Sequence, residues 1–176
     1  LLDVNSDPVP AAPITAAMAF VTLTATGNIL FDNSDIDLTN TSITLDVALT
    51  LTLVSGGNVT IQSDSRFNGA ATSTAGVARA LISISASGDL NLVGNPLSLL
   101  PTLSASATGT AEVSTIFLST LTGSITLTNA DLDAQTTLPI PNGNVTISSG
   151  DDLSVIDSTV TGDNDVTLTA TGDIFI

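Results

Sequence analysis

An eleven-residue pattern returns along this chain and constrains its fold more than any other feature. In the clearest copies apolar residues alternate with Thr or Ser, a glycine follows, and the alternation resumes. A period of two is that of a β-strand, whose successive side chains point to opposite faces. The glycine suits a turn between two strands, where Gly172 permits a positive φ. The clear copies are VTLTATGNILF at 21–31, ISISASGDLNL at 82–92 and VTLTATGDIFI at 166–176.

The spacing of the copies predicts how the strands stack. Weaker copies begin at Leu51, Leu103, Ile125 and Val145, so the starts from residue 82 onwards are 21, 22, 20 and 21 positions apart. This spacing matches one turn of a three-sided β-solenoid and predicts about 21 residues per coil. The starts at 21, 51 and 82 are 30 and 31 positions apart, which we interpret as coils with insertions, the second of them at 63–78.

A single coil of this kind is not stable alone. About five inward apolar side chains give roughly 7 to 15 kcal/mol, whereas ordering about 21 residues costs roughly 1 to 2 kcal/mol each. Neighbouring coils must supply the difference, so the fold is a cooperative stack. A narrow corner is predicted where the third inward position of each copy is small. These positions are Ala25, Ser55, Ala86, Ala107, Ser149 and Ala170.

We therefore predict an all-β parallel β-helix over residues 14–176, preceded by a Pro-rich arm or linker at 1–13. The alternative is an antiparallel, jelly-roll-like sandwich. In that case the protein would be a pilus-like subunit, and residues 1–9 would be a strand donated to a neighbouring subunit.

Composition excludes most chemical functions. The chain has no His, Cys, Trp, Tyr or Lys, which removes most nucleophiles, proton shuttles and soft metal ligands. Its net charge of −15, from 17 acidic and 2 basic residues, argues against nucleic acid as a partner. No apolar run is long enough to cross a bilayer, so membrane insertion is not expected. We predict that the protein is not an enzyme and needs no cofactor, with Ca²⁺ as the one candidate ion.

Two sets of acidic residues are candidates for chemistry. Asp89, Asp152 and Asp173 follow turn glycines, and a stack would align them as candidate Ca²⁺ ligands. The alternative is that they serve turn geometry alone, since Asn takes the same place in other copies. Paired carboxylates can hydrolyse polysaccharides, which makes Asp151 with Asp152 and Asp131 with Asp133 candidate acid/base pairs. Aromatic residues are only 3%, too few for a typical sugar-binding groove, so we assign no catalytic residue.

The repeats, above all VTLTATGDIFI and GNVTISSGDDLSVIDSTVTGDNDVTLTA, resemble those of filamentous-haemagglutinin-type exoproteins, the adhesins of two-partner secretion systems. The resemblance covers most of residues 21–176. It implies a right-handed parallel β-helix, export to the cell surface or medium, a fibrous shape and contact with other cells. The amino-terminal secretion domain of that family is not recognisable in this chain.

The predicted function is that of a structural extracellular module in a surface fibre or adhesin. Its expected partners are further copies of itself or a continuation of the same chain, with cell-surface glycans or proteins as candidates. Sequons make Asn40, Asn58 and Asn144 candidates for glycosylation. Exposed edge strands are expected to mediate self-association at the two ends. The candidate residues there are Leu1, Leu2, Val4, Ile174 and Ile176.

Overall fold

A computed structural model shows the chain as a β-solenoid built from three parallel sheets. The structure describes residues 2–6, 16–96, 101–139 and 141–176, and for residues 2–6 and 16 only the backbone. These residues contain 18 strands and no helix. Every third strand along the chain joins the same sheet, so each coil contributes one strand to each of three six-stranded sheets.

The three sheets, called A, B and C, follow one another within each coil, and coils are numbered 1 to 6 from the amino terminus. Sheet A contains β1 (Leu2–Ser6), β4 (Asp35–Ser42), β7 (Arg66–Ser73), β10 (Thr102–Thr108), β13 (Asp131–Thr136) and β16 (Thr159–Gly162). Sheet B contains β2 (Ala16–Ala25), β5 (Asp46–Ser55), β8 (Val77–Ala86), β11 (Ala111–Thr120), β14 (Gly143–Ser149) and β17 (Asp165–Ala170). Sheet C contains β3 (Ile29–Asp32), β6 (Val59–Gln62), β9 (Leu90–Val93), β12 (Ile125–Thr128), β15 (Leu153–Ile156) and β18 (Ile174–Phe175).

The predicted parallel stack is confirmed, and the antiparallel sandwich is wrong. Each strand pairing among the described residues is parallel, including that of β1, whose Leu2 lies beside Ile36 and whose Val4 lies beside Leu38. Five residues of the segment expected to be a Pro-rich arm therefore form a rung of sheet A. Its three prolines, and Leu1, lie outside the described residues.

The predicted coil length of 21 residues is wrong for most of the stack, which has about 31 residues per turn. In sheet B, Leu51 pairs with Ile82, and Ile82 with Ile116, at separations of 31 and 34 positions. Only the last turn is short, because Val145 pairs with Val166, 21 positions on.

The coil length was predicted wrongly because each coil contains strands of three sheets, and several of these strands show a similar alternation of apolar and polar residues. The copies that begin at Leu103 and Ile125 lie in β10 of sheet A and β12 of sheet C, not in sheet B with the others. The segment 63–78, expected to be an insertion, contains the regular strand β7. Ala107 likewise belongs to sheet A. The place expected for Ala107 in sheet B, between Ala86 and Ser149, is occupied by Thr120.

The core runs through the stack as columns of like residues. Sheet B shows this best, with alternate side chains buried along β5, β8 and β11. Each fully buried aliphatic side chain contributes roughly 1.5 to 3 kcal/mol. Because every residue of a column packs against the coils before and after it, this burial depends on the stack. One sheet B column contains Leu51, Ile82, Ile116 and Val145, each at most 1% exposed.

Candidate functional site

The corner between sheets B and C repeats one hydrogen bond from coil to coil. The Oδ1 atom of Asn28 accepts a bond from the backbone N–H of Asn58 at 2.9 Å, and Asn58 Oδ1 accepts one from Asp89 N–H at 2.9 Å. Asp89 Oδ1 then accepts a bond from Ser124 N–H at 3.0 Å. Asp152 Oδ1 does the same for Asp173 N–H at 2.8 Å. We call Asn28, Asn58, Asp89, Asp152 and Asp173 the corner ladder.

Glycines at this corner make room for the ladder. A Cβ atom at Gly57 would lie 2.2 Å from Asn28 Oδ1, and one at Gly88 would lie 2.0 Å from Asn58 Oδ1. The same atom at Gly172 would lie 2.2 Å from Asp152 Oδ1. The positive φ that glycine permits is not used at Gly172, since no described glycine has one. These glycines are needed for close approach and not for a left-handed backbone.

Coils 4 and 5 are an exception to this pairing of Asn or Asp with glycine, and they support the same explanation. Coil 4 has Ser124 in the ladder position, and coil 5 has Asp151 where the other coils place glycine. Serine does not reach into the space that Asn and Asp occupy, so a Cβ is tolerated in the next coil. Glycine therefore occurs where an Asn or Asp precedes it by one coil, and is absent where serine does.

The ladder geometry favours turn chemistry over the Ca²⁺ hypothesis. Asp89 and Asp152 each use one carboxylate oxygen on a backbone N–H, and Ser124 separates them in the stack. Asp173 lies one coil beyond Asp152. Among the described residues, no group of three or more acidic side chains is arranged to hold a metal ion.

The two candidate acid/base pairs lie on different faces. Asp151 and Asp152 are consecutive corner residues. Asp131 and Asp133 are half-buried on the outer side of sheet A, where burial, and then the negative charge of Asp133, raises the pKa of Asp131. Burial also raises the pKa of Asp133, against a hydrogen bond from Gln135 and together with the charge of Asp163. Asp133 Oδ1 is buried and accepts no hydrogen bond.

The most constrained carboxylate is one that the sequence analysis missed. Glu112 is 5% exposed and lies at the corner between sheets A and B. It accepts hydrogen bonds from Gly109 N–H at 2.7 Å, from Thr137 Oγ1 at 2.6 Å, from Thr137 N–H, and from Leu138 N–H at 2.9 Å. Burial acts to raise the pKa of Glu112, but these four hydrogen bonds together lower it. A signal was present, since this is the only glutamate in the chain.

A second carboxylate, two coils after Glu112, supports the same loop from the other side. Asp163 accepts hydrogen bonds from Thr136 N–H at 2.8 Å and Thr136 Oγ1 at 2.7 Å, and also from Gly143 N–H. Asn142 Nδ2 donates to the backbone oxygen of Glu112 at 3.2 Å. The loop between β13 and β14 is thus held by two carboxylates from neighbouring coils, and both act on backbone N–H groups.

The three sequons differ in accessibility. Asn40 is 0% exposed, and its Nδ2 donates to Ala17 O at 3.2 Å and Ala48 O at 3.0 Å, so its amide is closed to a glycosyl donor in the folded chain. Asn58 and Asn144 are half-buried at the surface. Asn58 belongs to the corner ladder. Asn144 Oδ1 accepts a bond from Asn164 Nδ2 at 2.7 Å.

The outer faces carry rows of hydroxyl and amide groups. On sheet C one row runs from coil 2 to coil 5 and contains Thr60, Asn91, Thr126 and Ser154. A shallow groove of about 250 Å³ crosses the corner between sheets B and C, with Val54 and Leu121 at its rim. Ser85 and Ser119 line it and share a hydrogen bond of 2.9 Å.

Both ends of the stack expose apolar side chains. At the carboxyl end Ile174 is 45% exposed and Ile176 is 89% exposed, and a groove of about 500 Å³ lies between Phe175 and Ile156. In coil 1 the outward Phe20 is 62% exposed. Leu2 and Val4, two further candidates for self-association, lie in β1, an edge strand of sheet A.

Comparison with known proteins gives no match to a family model, to a curated protein or to a solved structure. No described segment forms a helix long and apolar enough to cross a membrane.

Proposed function

We propose that this protein is a structural module of an extracellular fibre or adhesin and that it acts through its shape. The observation that carries the proposal is the regular stack itself, in which three parallel sheets share one column-built core. Such a stack is a rigid spacer whose outer faces present the same groups at each rung, about 4.8 Å apart. This geometry suits repeated weak contacts with a surface.

The outer row on sheet C supports contact with glycans or with polar protein surfaces. Its hydroxyl and amide groups can both donate and accept hydrogen bonds, as sugars do. The net charge of −15 favours neutral or basic partners over nucleic acid or anionic membranes. Low aromatic content fits weak, repeated binding better than a single deep sugar site.

Catalysis is not part of the proposal. The described carboxylates with several hydrogen bonds, Glu112 and Asp163, accept them from backbone N–H groups of a loop, which gives both a structural role. Asp131 and Asp133 lie on a sheet face, and neither of the two arginines is placed beside them as a register partner. The donor-strand alternative lacks the antiparallel sandwich that it requires.

Extracellular location is proposed from the resemblance of the repeats to haemagglutinin-type exoproteins. Antibody labelling of intact and permeabilised producing cells tests it, followed by electron microscopy of the released protein. Equal labelling of intact and permeabilised cells, with rod-shaped particles, is the expected result. Labelling that requires permeabilisation would contradict the proposal.

A further inference from the structure

At the corner between sheets B and C, an Asn or Asp side chain of one coil and a glycine of the next coil fit together. This corner device joins every pair of neighbouring coils except coils 4 and 5, and coil 1 and coil 6 each carry one half of it. Inside the stack, an Asn or Asp side chain lies where the glycine of the next coil lacks a Cβ. Gly27 in coil 1 has this glycine, yet no described atom lies within 4 Å of the position its Cβ would take. Asp173 in coil 6 has the ladder carboxylate, and coil 6 is the last coil that the structure describes. Both residues are exposed.

We propose that the carboxyl end of one copy stacks on the amino end of a second copy and completes this device. In the contact Asp173 of one copy accepts a hydrogen bond from the Asn28 N–H of the next and lies in the space over Gly27. The inference rests on the self-associating function proposed above and specifies its direction and its contact. The same geometry, Asp152 Oδ1 to Asp173 N–H at 2.8 Å, joins coils 5 and 6 within the chain.

The sequence of the two end coils supports a second copy as the occupant. Residues 21–27 and 166–172 are identical, and both corners have three residues between sheets B and C. Column by column, Val166, Leu168 and Ala170 would lie over Val21, Leu23 and Ala25 of the next copy. Like residues would thus stack on like residues, as they do inside the molecule.

The contact is directional. A ladder side chain accepts its bond only from the coil that follows, so two carboxyl ends placed together would oppose Asp173 to Asp173 with no N–H between them. A head-to-tail contact uses different surfaces on the two partners, does not close on itself and extends as a filament.

Cysteine pairs test the direction, because the chain has no native cysteine. Thr22 and Thr167 are exposed, belong to one outward column and would face each other across the contact. Neighbouring strands are about 4.8 Å apart, within the Cα separation that a disulfide bridges. A mixture of T22C and T167C under mild oxidation, at high salt to screen the charge, should give a disulfide-linked dimer. Either variant alone should not, nor should T167C mixed with T126C, whose cysteine lies in coil 4.

Gly27→Ala tests the contact itself. Since no described atom lies within 4 Å of the position that this Cβ would take, the variant should keep the thermal midpoint of the dilute, monomeric chain. Its added methyl group would meet Asp173 of the neighbouring copy and raise the dissociation constant by about tenfold, equivalent to about 1.4 kcal/mol. Sedimentation over a range of concentrations measures this. Gly57→Ala is the matched control, because its Cβ would meet Asn28 inside the same copy and lower stability instead.

Several outcomes would overturn the inference. They are a chain that stays monomeric at all concentrations, a G27A variant that associates normally, and single cysteine variants that crosslink as well as the mixture. If these occur while intact cells are labelled, only the end-to-end contact is wrong. If the contact is found but labelling requires permeabilisation, the proposed location fails and the contact stands.

Discussion

Two corners of the same solenoid are built in different ways. The corner between sheets B and C has three residues in most coils and uses one repeated bond, from a backbone N–H to an Asn or Asp of the coil before. The corner between sheets A and B varies in length. Where it has six residues, between β13 and β14, Glu112 of the coil before accepts three hydrogen bonds from Thr137 and Leu138 and a fourth from Gly109.

The difference shows what repetition makes possible. Where corner length is constant, each residue lies over its counterpart, so a short side chain reaches the next coil and a glycine receives it. Where the length changes, the added loop residues have no counterpart in the coil before, and their N–H groups need an acceptor that is not part of the repeated pattern. A buried polar group without a partner costs about 1 to 3 kcal/mol, so one well-placed carboxylate replaces several repeated contacts.

Removal of Glu112 should have the largest effect on stability. Glu112→Ala leaves three backbone N–H groups and one hydroxyl without their acceptor, which predicts a loss of about 3 kcal/mol or more in the free energy of unfolding. Chemical denaturation measures it. Glu112→Gln should recover part of the loss, and exposed Asp35→Ala should change stability by less than about 0.5 kcal/mol.

The same variant has a pH signature. Because the pKa of Glu112 is lower in the folded chain, its carboxylate stabilises the fold above its unfolded pKa, near 4.3. That contribution is lost as pH falls through the folded value. The stability difference between the unsubstituted chain and Glu112→Gln should therefore shrink below about pH 4. A difference independent of pH would mean that shape, and not charge, accounts for the role of Glu112.

Methyl groups at the regular corner should have the next largest effect. Gly88→Ala places a Cβ 2.0 Å from Asn58 Oδ1 and should lower the free energy of unfolding by about 2 kcal/mol. Asn58→Ser in the same chain should restore part of it, because this reproduces the natural step from Ser124 to Asp151. Equal losses in Gly88→Ala and Gly27→Ala, measured on dilute protein, would contradict the close-approach explanation.

The sequence predicts the parallel stack because alternation and like-on-like columns are visible without coordinates. The copies of the pattern that begin at Val21, Leu51 and Ile82 do stack on one another. Their separations of 30 and 31 positions, attributed to insertions in the sequence analysis, are those of successive coils. Coil length was not predictable from the spacing of the copies alone. The three sheets use the same alternation, so a strand such as β10 in sheet A resembles a strand of sheet B.

The role of Glu112 at the corner between sheets A and B was not predictable from the sequence, for a different reason. Glu112 contacts Thr137 and Leu138, which are 25 and 26 positions away and lie in a loop with no repeated pattern. Only the register of the coils brings them together. The glycine rule was visible in principle, since Gly57, Gly88 and Gly172 each lie one coil after an Asn or Asp, but it required the correct coil length.

The exception at coils 4 and 5 allows the pairing of Asn or Asp with glycine to be introduced at a new place in the stack. Ser124→Asn should destabilise the fold by about 1 kcal/mol, because its side chain would reach the space that the Cβ of Asp151 occupies. Adding Asp151→Gly should remove the clash and let Asp152 N–H donate to the new side chain. A double-mutant cycle should then give a favourable coupling of about 1 kcal/mol. Additive effects would show that the longer corner of coil 4 does not follow the rule.

The smallest expected effect is a gain in stability on sheet A. Because the pKa values of Asp131 and Asp133 are raised in the folded chain, these groups favour the fold below their unfolded pKa, near 4. That contribution is lost as pH rises through the folded values. Asp133→Asn should therefore stabilise the chain at neutral pH, by less than about 1 kcal/mol given solvent screening, and should not at pH 3. Thermal unfolding at the two pH values measures it. A loss of stability at neutral pH would mean that the ionised form of Asp133 has a stabilising partner in the folded chain. Asp133 would then be a second carboxylate that stabilises the fold, as Glu112 does.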